Sequence, residues 1–169
     1  MQEKSFADLH KRTQQALLDG SATNPLTVTV TSENQGGFCS KISMRSHVIT
    51  SDQPYGFEGT NKGPKPSELL LAALAACQDV TWRLYADSMG IPIDGISIEL
   101  RGTQDLRGFM GVDDGVPAGF VKIEGDVTID SPATAEQLEA LQKTVDAHCP
   151  VLDDLIRSVP VSLHLKIPK

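Results

Sequence analysis

The run Leu69 to Cys77, LLLAALAAC, limits what this chain can fold into more than any other stretch. It opens a segment without Gly or Pro that continues to Met89, with Pro66, Ser67 and Glu68 at its head and Gly90 and Pro92 behind it. Pro and Ser at the entry, an acid in the first turn and Gly just past the end are helix-boundary signals. They predict a helix over about 67–89. Its first half, ELLLAALAACQDV, is apolar almost all round, and such a helix has to be covered on every face. In a chain of 169 residues this makes it the central element, wrapped by sheet or paired with another helix. The apolar run is far too short to cross a bilayer.

The elements around it follow from periodicity and turn chemistry. Residues 5–18 carry Phe6, Leu9, Ala16 and Leu17 at loosely helical spacing, and 20–25 read as a linker. These 25 residues form an N-terminal helical arm and linker, and 26–169 form the main domain. Leu26 to Ser32 alternates like a half-buried strand, Asn34 to Gly37 is a hairpin turn, and a second strand is expected from Phe38 to about Thr50. Residues 51–66, rich in Gly, Pro, Asn and Asp, form a long loop of the kind that often carries function. Strands are expected near 95–101 and 121–129, with a surface excursion at 103–119. Ser131-Pro132 should start a helix reaching about Ala147. Cys149 precedes Pro150, which disfavours helix at the cysteine, so a short new helix is expected over 150–158. An alternating strand, Val159 to Ile167, closes the chain. The order implies an α+β fold with a mainly antiparallel sheet.

Composition excludes several functions. The net charge is −7 without any basic stripe, so neither nucleic acid nor an anionic membrane is an expected partner. The first residues lack the apolar core of a signal peptide, and a reducing cytoplasm is the expected compartment. Neither a GxSxG, a Walker loop nor HExxH occurs, and no cofactor is implied. His10, His47, His148 and His164 are scattered and suggest no metal site. The pair Asp113-Asp114 reads as a solvated loop.

The chemistry rests on cysteines. Three of them, without CxxC spacing, do not make a disulfide scaffold in an intracellular chain. Cys77 lies inside the apolar helix, where burial raises a thiol pKa and quiets it. Arg83 lies on the far side of the turn, so an activating cation has to come from another segment. Cys149 is expected at the N-cap of the short helix, where free N–H groups and the helix dipole favour a thiolate. His148 beside it is a weak catalytic candidate, and Cys39 on a strand is read as structural.

Two segments carry a family likeness. GTNKGPKPSELLLAALAAC, residues 59–77, resembles the Pro-rich loop and cysteine-bearing helix of the OsmC/Ohr family, and DAHCPV, 146–151, resembles its second cysteine motif. The likeness runs from about Leu26 to Lys169. It implies an intertwined homodimer with sheets wrapped around central helices. It also implies a cysteine-based peroxidase in oxidative stress defence. Cys77 would attack a small organic hydroperoxide, Cys149 would resolve the sulfenic acid as a disulfide, and a dithiol such as a dihydrolipoyl group would reduce it. The family holds its thiolate with an Arg paired to a Glu; here Arg45 and Glu68 stand nearest to those roles. A non-catalytic member binding a small apolar ligand is the alternative, and a structural stress protein without small-molecule chemistry is a third.

Overall fold

A computed structural model describes residues 6–167. Helix α1 (Phe6–Leu18) is followed by a three-stranded meander, β1 (Thr31–Gly36), β2 (Cys39–Met44) and β3 (His47–Ser51). After a loop with one 3₁₀ turn at Tyr55–Phe57 comes the long helix α2 (Pro66–Met89). Strands β4 (Gly95–Gln104) and β5 (Phe120–Asp130) flank an excursion holding the single-turn helix α3 (Leu106–Phe109). Helices α4 (Ala135–His148) and α5 (Pro150–Ile156) follow. The two sheets, β1-β2-β3 and β4-β5, are antiparallel throughout. The α+β expectation holds.

Helix α2 begins as its sequence dictates. Lys65 is the N-cap, Pro66 takes the first helical position, and Glu68 Oε2 accepts the Lys65 N–H at 3.0 Å. Gly90 ends the helix in the left-handed region at φ 69°, its N–H returning to Ala86 and Asp87 carbonyls. One face of the C-terminal half meets α4 and the β4-β5 ribbon. Trp82, Ala86, Ile91, Leu141 and Val145 form the buried core, with Ile96, Ile129 and Leu138 packed against it. Leu141 and Val145 are fully buried. Within one chain, however, α2 is not covered all round: Val80 is 64% exposed and Leu70 40%.

Four boundaries differ from the sequence reading. The expected strand from Phe38 to Thr50 is two strands, because Arg45 turns the chain at φ 53° in the left-handed region. No Gly, Pro or Asn marks this turn, so the sequence hides it. Residues 26–30 form no strand, and β1 starts at Thr31. Helix α4 starts later than Ser131. Its N-cap is Thr134, which accepts from the Gln137 N–H while Gln137 Oε1 accepts from the Thr134 N–H. Ser131 instead donates to the Pro92 carbonyl at 2.5 Å and accepts the Ala133 N–H. Finally, Val159 to Ile167 pairs with no strand among the described residues. Its alternating side chains Val161, Leu163, Leu165 and Ile167 are 78, 92, 89 and 80% exposed.

The accessible surface is 12913 Å², whereas a compact 18.2 kDa monomer presents about 8,100 Å². The meander accounts for much of this openness, since β1–β3 bury only Cys39 and Ser51. Helix α1 docks on the end of α2: the Ala7 N–H donates to Asp87 Oδ2 at 2.5 Å, and His10 Nδ1 lies 2.8 Å from Ser88 Oγ.

Candidate active site

The junction of α4 and α5 brings the second cysteine to the first. Cys149 is the C-cap of α4 and the N-cap of α5 at once. Its N–H closes α4 on the Val145 carbonyl at 2.9 Å, and its own carbonyl accepts the Asp153 N–H at 3.0 Å to open α5. The extended backbone at φ −77°, ψ 112° is what a residue before proline adopts. Because α2 packs against both α4 and α5, the corner faces α2 at Cys77. Both cysteines are free thiols; Cys149 is fully buried and Cys77 half-buried.

Burial pushes the Cys77 thiol pKa up, the Val151 backbone N–H opposes that, and Cys149 adds to the rise by hydrogen bonding and repulsion. The Thr81 hydroxyl works in the lowering direction. The mutual influence of the two thiols makes Cys77 and Cys149 neighbours at this corner. Sequence reasoning assigned the free N–H groups of α5 to Cys149. The Cys149 side chain makes no capping hydrogen bond, and the Val151 N–H serves Cys77 instead. Pro150 has no N–H to offer, so Val151 carries the first one available after the corner.

The other expected site residues lie apart from this pair within the chain. Arg45 stands exposed at the β2–β3 turn, and no guanidinium is among the described groups acting on Cys77. Glu68, also exposed, uses one carboxylate oxygen to cap α2, a full 9 residues before Cys77. His148 turns away from Cys77: its Nδ1 lies 2.8 Å from the Thr144 carbonyl, and its ring packs on Tyr85. Among the described residues no group of His, Cys, Asp or Glu could hold a metal ion. None of their helices is long and apolar enough to cross a membrane.

Three features escaped the sequence reading. Thr81 sits four residues after Cys77 and is buried, and helical spacing alone could have flagged it. Asp52, 1% exposed, ties the loop between β3 and α2: it accepts from Thr60 Oγ1 at 2.6 Å and from the N–H groups of Gln53, Thr60 and Lys62. These bonds, the Thr60 hydroxyl foremost, hold its carboxyl below the ordinary aspartate range. No periodicity announces such a role. The third is a cavity of about 580 Å³ between α2, the β4-β5 ribbon, α4 and α5. Leu74, Leu100, Phe120 and Leu155 give it apolar walls, and Asp146, its carboxyl pushed up by burial, is the one acid among the described lining residues. Leu74 and Gln78, beside Cys77 on α2, line it.

The fold and the facing thiols define an α+β protein of antiparallel sheets with a two-cysteine site. The chain belongs to the OsmC-like family, whose description, "OsmC-like protein", it matches over residues 59–164. Solved structures share the fold. An OsmC-like protein from Mycoplasma pneumoniae is 23% identical, with 79% of this chain and 89% of that one aligned at a TM-score of 0.69. An organic hydroperoxide resistance protein OsmC from Legionella pneumophila is 18% identical over 80% and 93% of the two chains, with a TM-score of 0.60. The organic hydroperoxide resistance protein OhrB of Bacillus subtilis is 22% identical over 83% and 98%, with a TM-score of 0.53. No curated protein matches the chain in sequence.

Proposed function

We propose that this protein is a thiol-dependent peroxidase that reduces small organic hydroperoxides in a reducing cytoplasm. The observation that carries the reading is the facing of two free thiols, Cys77 and Cys149, one half-buried and one fully buried. The Cys77 thiolate attacks the distal oxygen of ROOH; the O–O bond breaks, ROH leaves with a proton, and Cys77 becomes a sulfenic acid. The Cys149 sulfur then attacks the Cys77 sulfur, water leaves, and a disulfide forms. A dithiol of the dihydrolipoyl class supplies the two electrons that restore both thiols.

In this reading the working unit is a homodimer. Each chain presents roughly 4,800 Å² beyond what a compact monomer would, more than the roughly 1,000–2,500 Å² per partner common in obligate homodimers and in keeping with an extensively intertwined pair. The open face of α2, the meander and the strand-like segment 159–167 are the surfaces that a second chain covers. Arg45, on its exposed turn, serves Cys77 from the second chain, and Glu68 orients it. The test is to treat the protein with cumene hydroperoxide and map its disulfides by mass spectrometry. A Cys77–Cys149 bridge is expected, with turnover once a dithiol is added and none in Cys77→Ser. Both thiols remaining free in folded protein would sink the mechanism.

The cavity favours one second reading, a non-catalytic protein that holds a small apolar ligand. Thermal stabilisation by such a ligand that survives Cys77→Ser, with no hydroperoxide turnover in wild type, distinguishes it.

A further inference from the structure

We propose that the Thr81 hydroxyl is the side-chain donor that stabilises the Cys77 thiolate, by turning from the Cys77 carbonyl to the Cys77 sulfur. The inference rests on Cys77 being the reacting thiol and adds a residue to its chemistry.

Thr81 lies one turn beyond Cys77 on the same face of α2, and helical side chains lean back over the preceding turn. Its Oγ1 donates to the Cys77 carbonyl at 2.7 Å. The residue is 5% exposed, so its single hydroxyl proton has to find a protein acceptor rather than bulk water. Two acceptors of one residue compete for it, the carbonyl and the sulfur of Cys77. The carbonyl does not depend on the hydroxyl, because helical register already gives it the backbone N–H of Thr81. Turning the hydroxyl away therefore orphans nothing. Threonine in a helix divides between two χ1 rotamers for this reason, the carbonyl-bonded one being only one of them.

The sulfur has need of such a donor. Once ionised it is a half-buried anion, and no guanidinium of its own chain acts on it among the described residues. Neutral donors are what the chain provides: the Val151 N–H, which no substitution of a side chain removes, and Thr81. A hydrogen bond to a charged acceptor is roughly twice as strong as one to a neutral acceptor, so ionisation of Cys77 itself shifts the preference toward sulfur.

A threonine bonded to the carbonyl four residues back is also an ordinary structural device, and the experiment separates the two roles. The full-length protein is alkylated with iodoacetamide across pH, and the Cys77 peptide is quantified by mass spectrometry. Thr81→Val keeps the shape and removes the donor. It is expected to slow Cys77 alkylation at neutral pH by roughly tenfold and to move the pH profile to the alkaline side. Thr81→Ser is expected to restore the wild-type profile. Thr81→Ala repeats the loss of the donor should the valine disturb packing. A valine or alanine variant with the wild-type profile, or a serine variant that behaves like valine, overturns the proposal. Alkylation reports the thiolate whether or not peroxide is turned over, so failure of the peroxidase reading and failure of this one are separately visible.

Discussion

Replacing Leu163 and Leu165 together by Asp tests whether the exposed C-terminal segment belongs to an interface. Both side chains are close to fully exposed in the single chain, at 92 and 89%, so the substitutions remove no contact within it. For an independent monomer they should be close to neutral, as surface changes usually are. If a second chain covers the segment, each leucine forfeits about 1.5–3 kcal/mol of burial. Four leucines per dimer then lose about 6–12 kcal/mol, before any cost of placing carboxylates in an apolar seam. At 1.4 kcal/mol per decade the dissociation constant rises by about ten-thousandfold or more. Size-exclusion chromatography with light scattering at micromolar protein should give a dimer for wild type and monomer or unfolded chain for the variant. The wild-type melting temperature should also rise with protein concentration, as mass action requires of a chain whose folded form is the associated one. A wild-type monomer with a concentration-independent melt would refute the reasoning. So would a double variant that remains a dimer with the wild-type melt.

Other outcomes follow from individual residues. Leu141→Ala empties a fully buried position facing α2 and should lower stability by about 2–5 kcal/mol in urea titration. Burial raises the Cys77 thiol within one chain, and a guanidinium from a second chain would lower it, so Arg45→Met should move the pH profile of Cys77 alkylation to the alkaline side; an unchanged profile would show that Arg45 does not serve the thiol. Asp52 ionises more readily in the folded chain than in the unfolded one, so it stabilises above the unfolded value of 3.8. That contribution is lost as pH falls through the lower folded value. Asp52→Asn should flatten the acid limb of a stability-versus-pH curve, and an unchanged limb would show that the loop does not depend on the charge. Gly59→Ala should loosen the same loop, because a Cβ there would collide with the Gln53 carbonyl; retained chymotrypsin resistance after Tyr55 and Phe57 would argue against this.

Much of the fold was legible where local chemistry and tertiary demand agree. Helix α2 announced itself through Pro66, Glu68 and Gly90, and the α4–α5 corner through Cys149-Pro150. The reading failed where one residue adopts a backbone its type does not advertise, as Arg45 does with its left-handed φ. It failed also where two signals compete: Ser131-Pro132 looked like a cap, but Ser131 is occupied with Pro92 and the capping box formed at Thr134 and Gln137. Residues 26–30 and 159–167 alternate like strands yet pair with no strand among the described residues, since periodicity records that a face is to be buried and not by whom. At the site, Cys77 and Cys149 came from sequence motifs. The donors around Cys77 did not, because Val151 acts through its backbone, which leaves no trace in residue identity, and Thr81 acts through a helical offset that many buried threonines share.

The near-isolation of the β1–β3 meander also bears on how quickly the molecule is made. Hairpins with short turns such as those at Gly37-Phe38 and Arg45-Ser46 close on a timescale of microseconds. The meander therefore has little to wait for locally, yet it acquires almost no burial from its own helices. Its early lifetime is that of a small solvated sheet with two open edges, a form prone to pairing with any neighbouring strand. If a second chain covers the meander, as proposed, acquiring native packing is a second-order event whose rate depends on protein concentration. For a freshly synthesised chain, dilution would then lengthen the time the meander spends exposed to unrelated strands.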